Sequence, residues 1–171
     1  MGILIDKITI TASSKKRAIF SENHLHFYMK YAFVVFRTLR KPLFQKFLSW
    51  MLRKEEIKED KIKDIQIKIF PLRKQNGKGL AGKCKIRGTI FIYPRRFEFC
   101  REKTQELGKE DVNFYIKSRA RAALIHELLH LKYASGEEKV RELTKRYFNI
   151  FTKHQHTQNS NAHKIAKMLF T

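Results

Sequence analysis

The chain has 171 residues, 43% of them hydrophobic and 12% aromatic, enough to bury the core of one compact domain and too apolar for wholesale disorder. Lysine and arginine number 37 against 16 aspartate and glutamate, a net charge of +21 that favours polyanionic partners. Its two cysteines, Cys84 and Cys100, stand in no Cys-x-x-Cys spacing, which excludes a disulfide framework and a cysteine-built metal site.

In chain order, residues 3–10 read as a short strand or ordered arm, because Ile8 and Ile10 alternate with Lys7 and Thr9. Residues 13–17 read as a polar turn. From Ser21, a suitable N-cap, to Arg40, the residues Leu25, Tyr28, Met29, Ala32, Val35, Phe36 and Leu39 recur at helical spacing. The most apolar part, Phe27 to Phe36, contains Lys30 and ends at Arg37, too short to span a bilayer. No segment has the order of a signal peptide, so a soluble protein of a reducing cytoplasm is expected. Pro42 restarts the chain as a second helix carrying Phe44, Phe47, Leu48, Met51 and Leu52, which dissolves into the charged segment 53–64. Residues 1–64 are therefore taken as an N-terminal helical extension.

The period changes at residue 65. Ile65-Gln66-Ile67-Lys68-Ile69-Phe70 alternates strictly, and after a loop at 74–79 two more runs, 82–87 and 88–94, have strand character with Gly88 at a turn or bulge. These predict a small antiparallel or mixed sheet of about three strands, which Phe97, Phe99 and Cys100 extend toward a loop at Gly108. A long helix follows from Glu110 or Asp111 to about Ala134, then a turn at Ser135-Gly136 and a helix from Glu137 to about Thr152 with Val140, Leu143, Tyr147 and Phe151 on one face. Residues 153–171 form a polar tail with a last amphipathic turn at 165–170. The body, 65–152, has an α+β layout.

The long helix carries His126-Glu127-Leu128-Leu129-His130 within the apolar run from Ala120 to Leu131. Histidines four residues apart share one helix face and can hold one metal ion, while Glu127, about 100° round, reaches a water on that metal. Burying two imidazoles and a carboxylate unsatisfied would cost several kcal/mol, and a cation satisfies all three. This is the HEXXH signature of zinc peptidases. A catalytic zinc site needs a third protein ligand and an open position. Histidine is absent between His130 and His154, whereas Glu137, Glu138 and Glu142 open the next helix, and any of them can supply a carboxylate.

With that helix the chain, over about residues 65–152, resembles the gluzincins, zinc peptidases whose third ligand is a glutamate on the helix after the motif. Its size and short inter-helix link look most like the compact archaeal minigluzincins. The resemblance implies a zincin-like fold, a Zn2+ cofactor on His126, His130 and Glu138, and Glu142 as the acidic residue orienting a histidine. It implies peptide-bond hydrolysis with Glu127 as general base, and a substrate strand laid along Thr89, Ile90, Phe91, Ile92 and Tyr93 or a neighbouring strand.

Lys83, Lys85, Arg87, Arg95 and Arg96 would border such a cleft, making an acidic protein or peptide the expected substrate. Candidates for the oxyanion stabiliser are Tyr133, Tyr147, His154 and His156. His24 and His26 diverge on a helix and read as surface or capping residues; His154 and His156 could instead occupy the open metal position. The competing function is nucleic-acid binding, since residues 65–104 hold 11 basic and 2 acidic residues with Phe91, Tyr93, Phe97 and Phe99 among them.

Overall fold

The computed structural model describes residues 4–12, 20–74, 76–153, 155 and 161–170; the polar turn expected at 13–17, and His154 and His156, lie outside them. The described elements run β1 (Ile8–Thr11), α1 (Glu22–Leu39), α2 (Pro42–Lys54), β2 (Asp64–Lys68), β3 (Gly82–Cys84), β4 (Thr89–Ile92), α3 (Phe97–Leu107), α4 (Lys109–His130), α5 (Glu137–Lys153) and α6 (Ala162–Phe170), with 3-10 turns at Ile5–Lys7 and Glu59–Lys61. Helix α1 starts where its cap predicts: the Ser21 hydroxyl accepts the His24 N–H at 3.3 Å. Pro42 occupies the first turn of α2, where its missing N–H costs nothing. None of the described helices is long and apolar enough to cross a membrane.

The fold is α+β, with a mixed sheet in the order β1-β2-β4-β3. β1 pairs with β2 in parallel, β2 with β4 in parallel, and β3 with β4 antiparallel. The sheet is thus mixed, one of the two arrangements expected, and it has four strands, the fourth being β1. Only β3 and β4 are joined by a tight turn; residues 69–81 lead from the end of β2 past the place of β4 to β3, and β3 runs back antiparallel so that β4 starts alongside the start of β2. The turn depends on Gly88, whose φ is +85°; a Cβ there would lie 2.0 Å from the Lys61 carbonyl oxygen. The Lys63 N–H donates to the Gly88 carbonyl at 3.0 Å, which closes the loop against the sheet.

Two corrections follow from the same topology. Thr89–Ile92 is hydrogen-bonded on both sides and so cannot receive a substrate strand; the edge nearest the motif helix is β3. Residues 97–107, expected to prolong the sheet, form α3, with Cys100 buried and the Phe97 N–H held by the Tyr28 hydroxyl at 3.0 Å. Gly108, at φ +91°, separates α3 from α4.

The N-terminal residues pack into the same core as residues 65–152. Leu4, Ile8, Val35, Leu39, Phe44, Leu48 and Met51 share one continuous core with Ile65, Ile67, Ile90, Ile92, Leu124, Ile125, Leu128 and Phe151. β1 is the sheet's outer strand, and the Gln45 side chain ties the start of the chain down, accepting the Leu4 N–H at 3.1 Å while donating to the Leu39 carbonyl at 2.8 Å.

A buried carboxylate joins the two halves. Glu55, the C-cap of α2, accepts hydrogen bonds from the Tyr147 hydroxyl on α5 and from the Tyr133 hydroxyl, at 2.8 Å, in the turn after His130. Lys132 donates to the Glu55 backbone carbonyl at 2.7 Å. Burial by itself would raise the Glu55 pKa, but the tyrosine hydrogen bonds and the Lys132 charge outweigh it and hold the carboxyl below the ordinary glutamate value. A depressed native pKa stabilises the fold at and above the ordinary carboxylate range and loses that contribution as pH falls through the native value. Glu55→Gln should therefore cost about 1–3 kcal/mol at neutral pH, and the two proteins should converge in stability well below pH ~4. Urea titrations at both pH values measure this; an equal gap at the two would show that the charge is not what matters.

Candidate metal centre

Helix α4 is buried on almost every side, as its run of apolar residues requires: Leu124, Ile125, Leu128 and Leu129 have no solvent exposure. It ends at His130, earlier than expected, because residues 131–136 turn sharply, with the Tyr133 N–H on the Leu129 carbonyl at 2.9 Å and the Gly136 N–H on the Tyr133 carbonyl at 3.1 Å. That turn delivers the first residue of α5, Glu137, back over the last turn of α4.

Among the described residues, His126, His130 and Glu137 form the group whose ligand atoms converge enough to hold a metal ion. The Nε2 atoms of the two histidines are 3.1 Å apart; Glu137 Oε1 is 3.5 Å from His126 Nε2, and Oε2 is 3.1 Å from His130 Nε2. Ligands about 2.1 Å from a tetrahedral zinc stand roughly 3.4 Å from one another, so these spacings fit such an ion. The carboxylate that converges with the two histidines is thus that of Glu137, not that of Glu138. On a helix, consecutive side chains diverge by about 100°, so of Glu137 and Glu138 it is the first that turns toward the two Nε2 atoms. Glu142 does not orient a histidine either: it lies with Lys145, Arg146, Asn149, Ile150 and Lys153 along a different, exposed part of α5.

The orienting group is Thr144, buried on the inner face of α5. Its hydroxyl donates to the Val140 carbonyl at 2.7 Å and lies 3.3 Å from His126 Nδ1. Having given its proton to the carbonyl, the hydroxyl can only accept from the imidazole. Nδ1 therefore carries the hydrogen, and the Nε2 lone pair faces the cluster. Burial brings the His126 pKa down to about 4 against the opposing Glu137 charge, with His130, Arg141 and Lys74 adding to the lowering, so the ring is neutral. Glu137 is held below the ordinary carboxylate range, chiefly by the two histidines against its own partial burial, with Arg141 adding a 3.1 Å hydrogen bond to Oε1. Neutral imidazole beside an anionic carboxylate at a helix N-terminus is a donor set suited to a divalent cation.

Glu127 lies beside this group beneath β3. Burial, reinforced by the Glu137 charge, pushes its carboxyl up to about 7, while the Cys84 amide and Lys74 act in the opposite sense. The strand approaches closely because residue 82 is glycine. A Cβ there would lie 2.8 Å from Glu127 Cγ and 2.9 Å from Oε1. Gly82 and Thr144 were not picked out from the sequence, although a glycine opening a strand is itself a sign of close backbone approach. Lys74, from the hairpin bridged at Arg73 and Gly79, contributes positive charge to both His126 and Glu127.

The remaining candidates lie elsewhere. Tyr133 and Tyr147 spend their hydroxyls on Glu55. His24 packs edge-on against Phe97 and faces Glu98 at 3.9 Å, consistent with a surface role, and His26 is exposed. Burial and the Glu127 charge push the Cys84 thiol up to about 11, which keeps it protonated. Comparison of the chain with protein-family models, with curated proteins and with solved structures finds no match.

Two substitutions separate these roles. Thr144→Val should weaken divalent-metal binding about 10–100-fold by releasing the His126 tautomer, and Glu137→Ala should weaken it further. Glu138→Ala should leave it unchanged. Competition of each variant against a chromophoric chelator reads the affinities, and an effect of Glu138→Ala equal to that of Glu137→Ala would overturn the ligand assignment.

Proposed function

We propose that the protein is a zinc-dependent metallopeptidase of gluzincin type, with His126, His130 and Glu137 as metal ligands and Glu127 as general base. The observation that carries the reading is the convergence of the three ligand atoms at tetrahedral spacing beside a separate buried carboxylate. Bound there, zinc supplies Lewis acidity that polarises a peptide carbonyl and makes water nucleophilic near neutral pH.

The chain's own residues do the rest. The Glu127 carboxylate takes the proton of the attacking water and returns it to the leaving amine; its raised pKa, near the working pH, suits transfer in both directions. Gly82 leaves room for that carboxylate, and the Thr144 hydroxyl holds the His126 ring. Lys74 offers positive charge toward the developing oxyanion. The substrate extends along β3, whose outer edge has no strand partner among the described residues, in place of Thr89 to Tyr93. A cavity of about 610 Å³ at the β3–β4 turn is lined by Lys63, Lys83, Cys84, Lys85, Ile86, Arg87 and Thr89, which supports an acidic peptide as substrate.

Glu127→Gln should retain the metal and lose about 10²–10⁴-fold in kcat, and Gly82→Ala should lower kcat with metal content unchanged because its methyl displaces the Glu127 side chain. Both are read by cleavage of an unstructured acidic protein with metal analysis of the same samples. Full cleavage by Glu127→Gln would remove the base role, and an absence of bound zinc in active wild-type protein would remove the metal.

A further inference from the structure

On the other side of α4, where α1 passes into α2, positive charge collects without an ion pair to any carboxylate of the described residues. Arg37 lies in the last turn of α1, Lys41 stands at the N-cap of α2, and Lys117 and Arg121 are one turn apart on α4. Lys117 is half-buried, and burial, followed by the charges of Lys41, Arg121 and Arg37, lowers its pKa; every charge named there is a cation.

Arg121 is the unusual member. It is only 8% exposed, its guanidinium lies 5.8 Å from the ring centre of Phe44 and 5.3 Å from that of Phe151, and its buried Nε–H has no hydrogen-bond partner. Arginine is almost never withdrawn from water unless paired, because a buried donor left unmet forfeits its hydration for nothing. Phe44 belongs to the first turn of α2, and the charges of Arg121 and of Lys41, the N-cap residue of that helix, act on the same Lys117. The start itself is open: Lys41 makes no side-chain cap, and the first turn holds no acidic residue. Pro42 has no N–H, which leaves the amides of Leu43 and Phe44 as the free donors there.

We infer that this corner is a binding site for a phosphate-class oxyanion, held by Arg121, Lys117, Lys41, Arg37 and the open start of α2. A tetrahedral dianion matches the chemistry: the planar guanidinium takes two oxygens, the lysines neutralise charge, and the helix start offers amides along its dipole. Arg121 precedes His126 by five positions, about 140° round the helix, so the site is separate from the metal centre and does not depend on peptidase activity.

The test is an amide NMR titration of the full 15N-labelled chain, at ionic strength held constant with chloride, using inorganic phosphate in one arm and a dinucleotide with only its phosphodiester in the other. Saturable shifts at Leu43 and Phe44 are expected. They should be about ten-fold or more weaker in the Lys41→Gln/Lys117→Gln double variant and in Arg121→Met, and unchanged in the charge-matched Lys145→Gln/Lys153→Gln. Tighter binding of inorganic phosphate assigns the site to a free phosphate or phosphomonoester, and tighter binding of the dinucleotide to a nucleic-acid backbone. Shifts that do not saturate, or that both lysine double variants weaken alike, would overturn the site and leave only the general attraction of a +21 chain. Lys41 is exposed and Lys117 half-buried, so that pair carries the test even if Arg121→Met fails to fold.

Discussion

Helix α4 runs through the middle of the molecule with polar and charged side chains buried along it, and the surrounding elements are arranged so that most of those groups are met. Arg119 donates to the Tyr93 carbonyl at 2.6 Å and to the Leu80 carbonyl at 3.4 Å, which fixes the end of β4 and the hairpin before β3 against the helix. Thr144 meets His126 from α5, and β3 closes over Glu127 through Gly82. Each partner lies on a different element, so the placement of β3, β4 and α5 follows from one requirement: a buried donor or acceptor left unmet costs more than its contact returns. The same requirement makes Arg121, whose Nε–H is unmet, stand out.

What could be read in advance follows from the reach of each interaction. The motif helix, α1, α2 and α5 were legible because their apolar residues repeat at helical spacing over three or more turns, a strictly local pattern. Phe97, Phe99 and Cys100 misled because three residues fit alternation and helical spacing alike. In the structure it is Cys100, with Tyr28 holding the Phe97 N–H, that selects the helix. Strand direction was illegible, since parallel pairing of β2 with β4 depends on the path of residues 69–81, whose sequence shows only that they turn.

The candidate site divides in the same way. His126, Glu127 and His130 lie within one turn of helix, so their mutual placement is a matter of helix geometry. The carboxylate opposite them depends on how many residues the intervening turn consumes, and a shift of one position along α5 changes the face presented. Expecting Glu138 by resemblance placed the carboxylate one residue late; the tight turn ending at Gly136 brings Glu137 round instead. Thr144 and Gly82 were out of reach because their roles are tertiary. A threonine facing a histidine ring and a glycine beneath a carboxylate become visible only once two elements are packed together.

The Glu55 clasp on the turn between His130 and Glu137 means that the cluster of His126, His130 and Glu137 exists only while α2, α4 and α5 are packed together. A cation held by His126, His130 and Glu137 is therefore a ligand of the native state alone, and its free concentration enters the folding equilibrium directly. At a hundred times its dissociation constant, such an ion adds about 2.7 kcal/mol to the stability of the chain. The folded population of this protein would then rise and fall with the supply of that ion, although the Glu55 carboxylate that ties α2 to the turn never touches it.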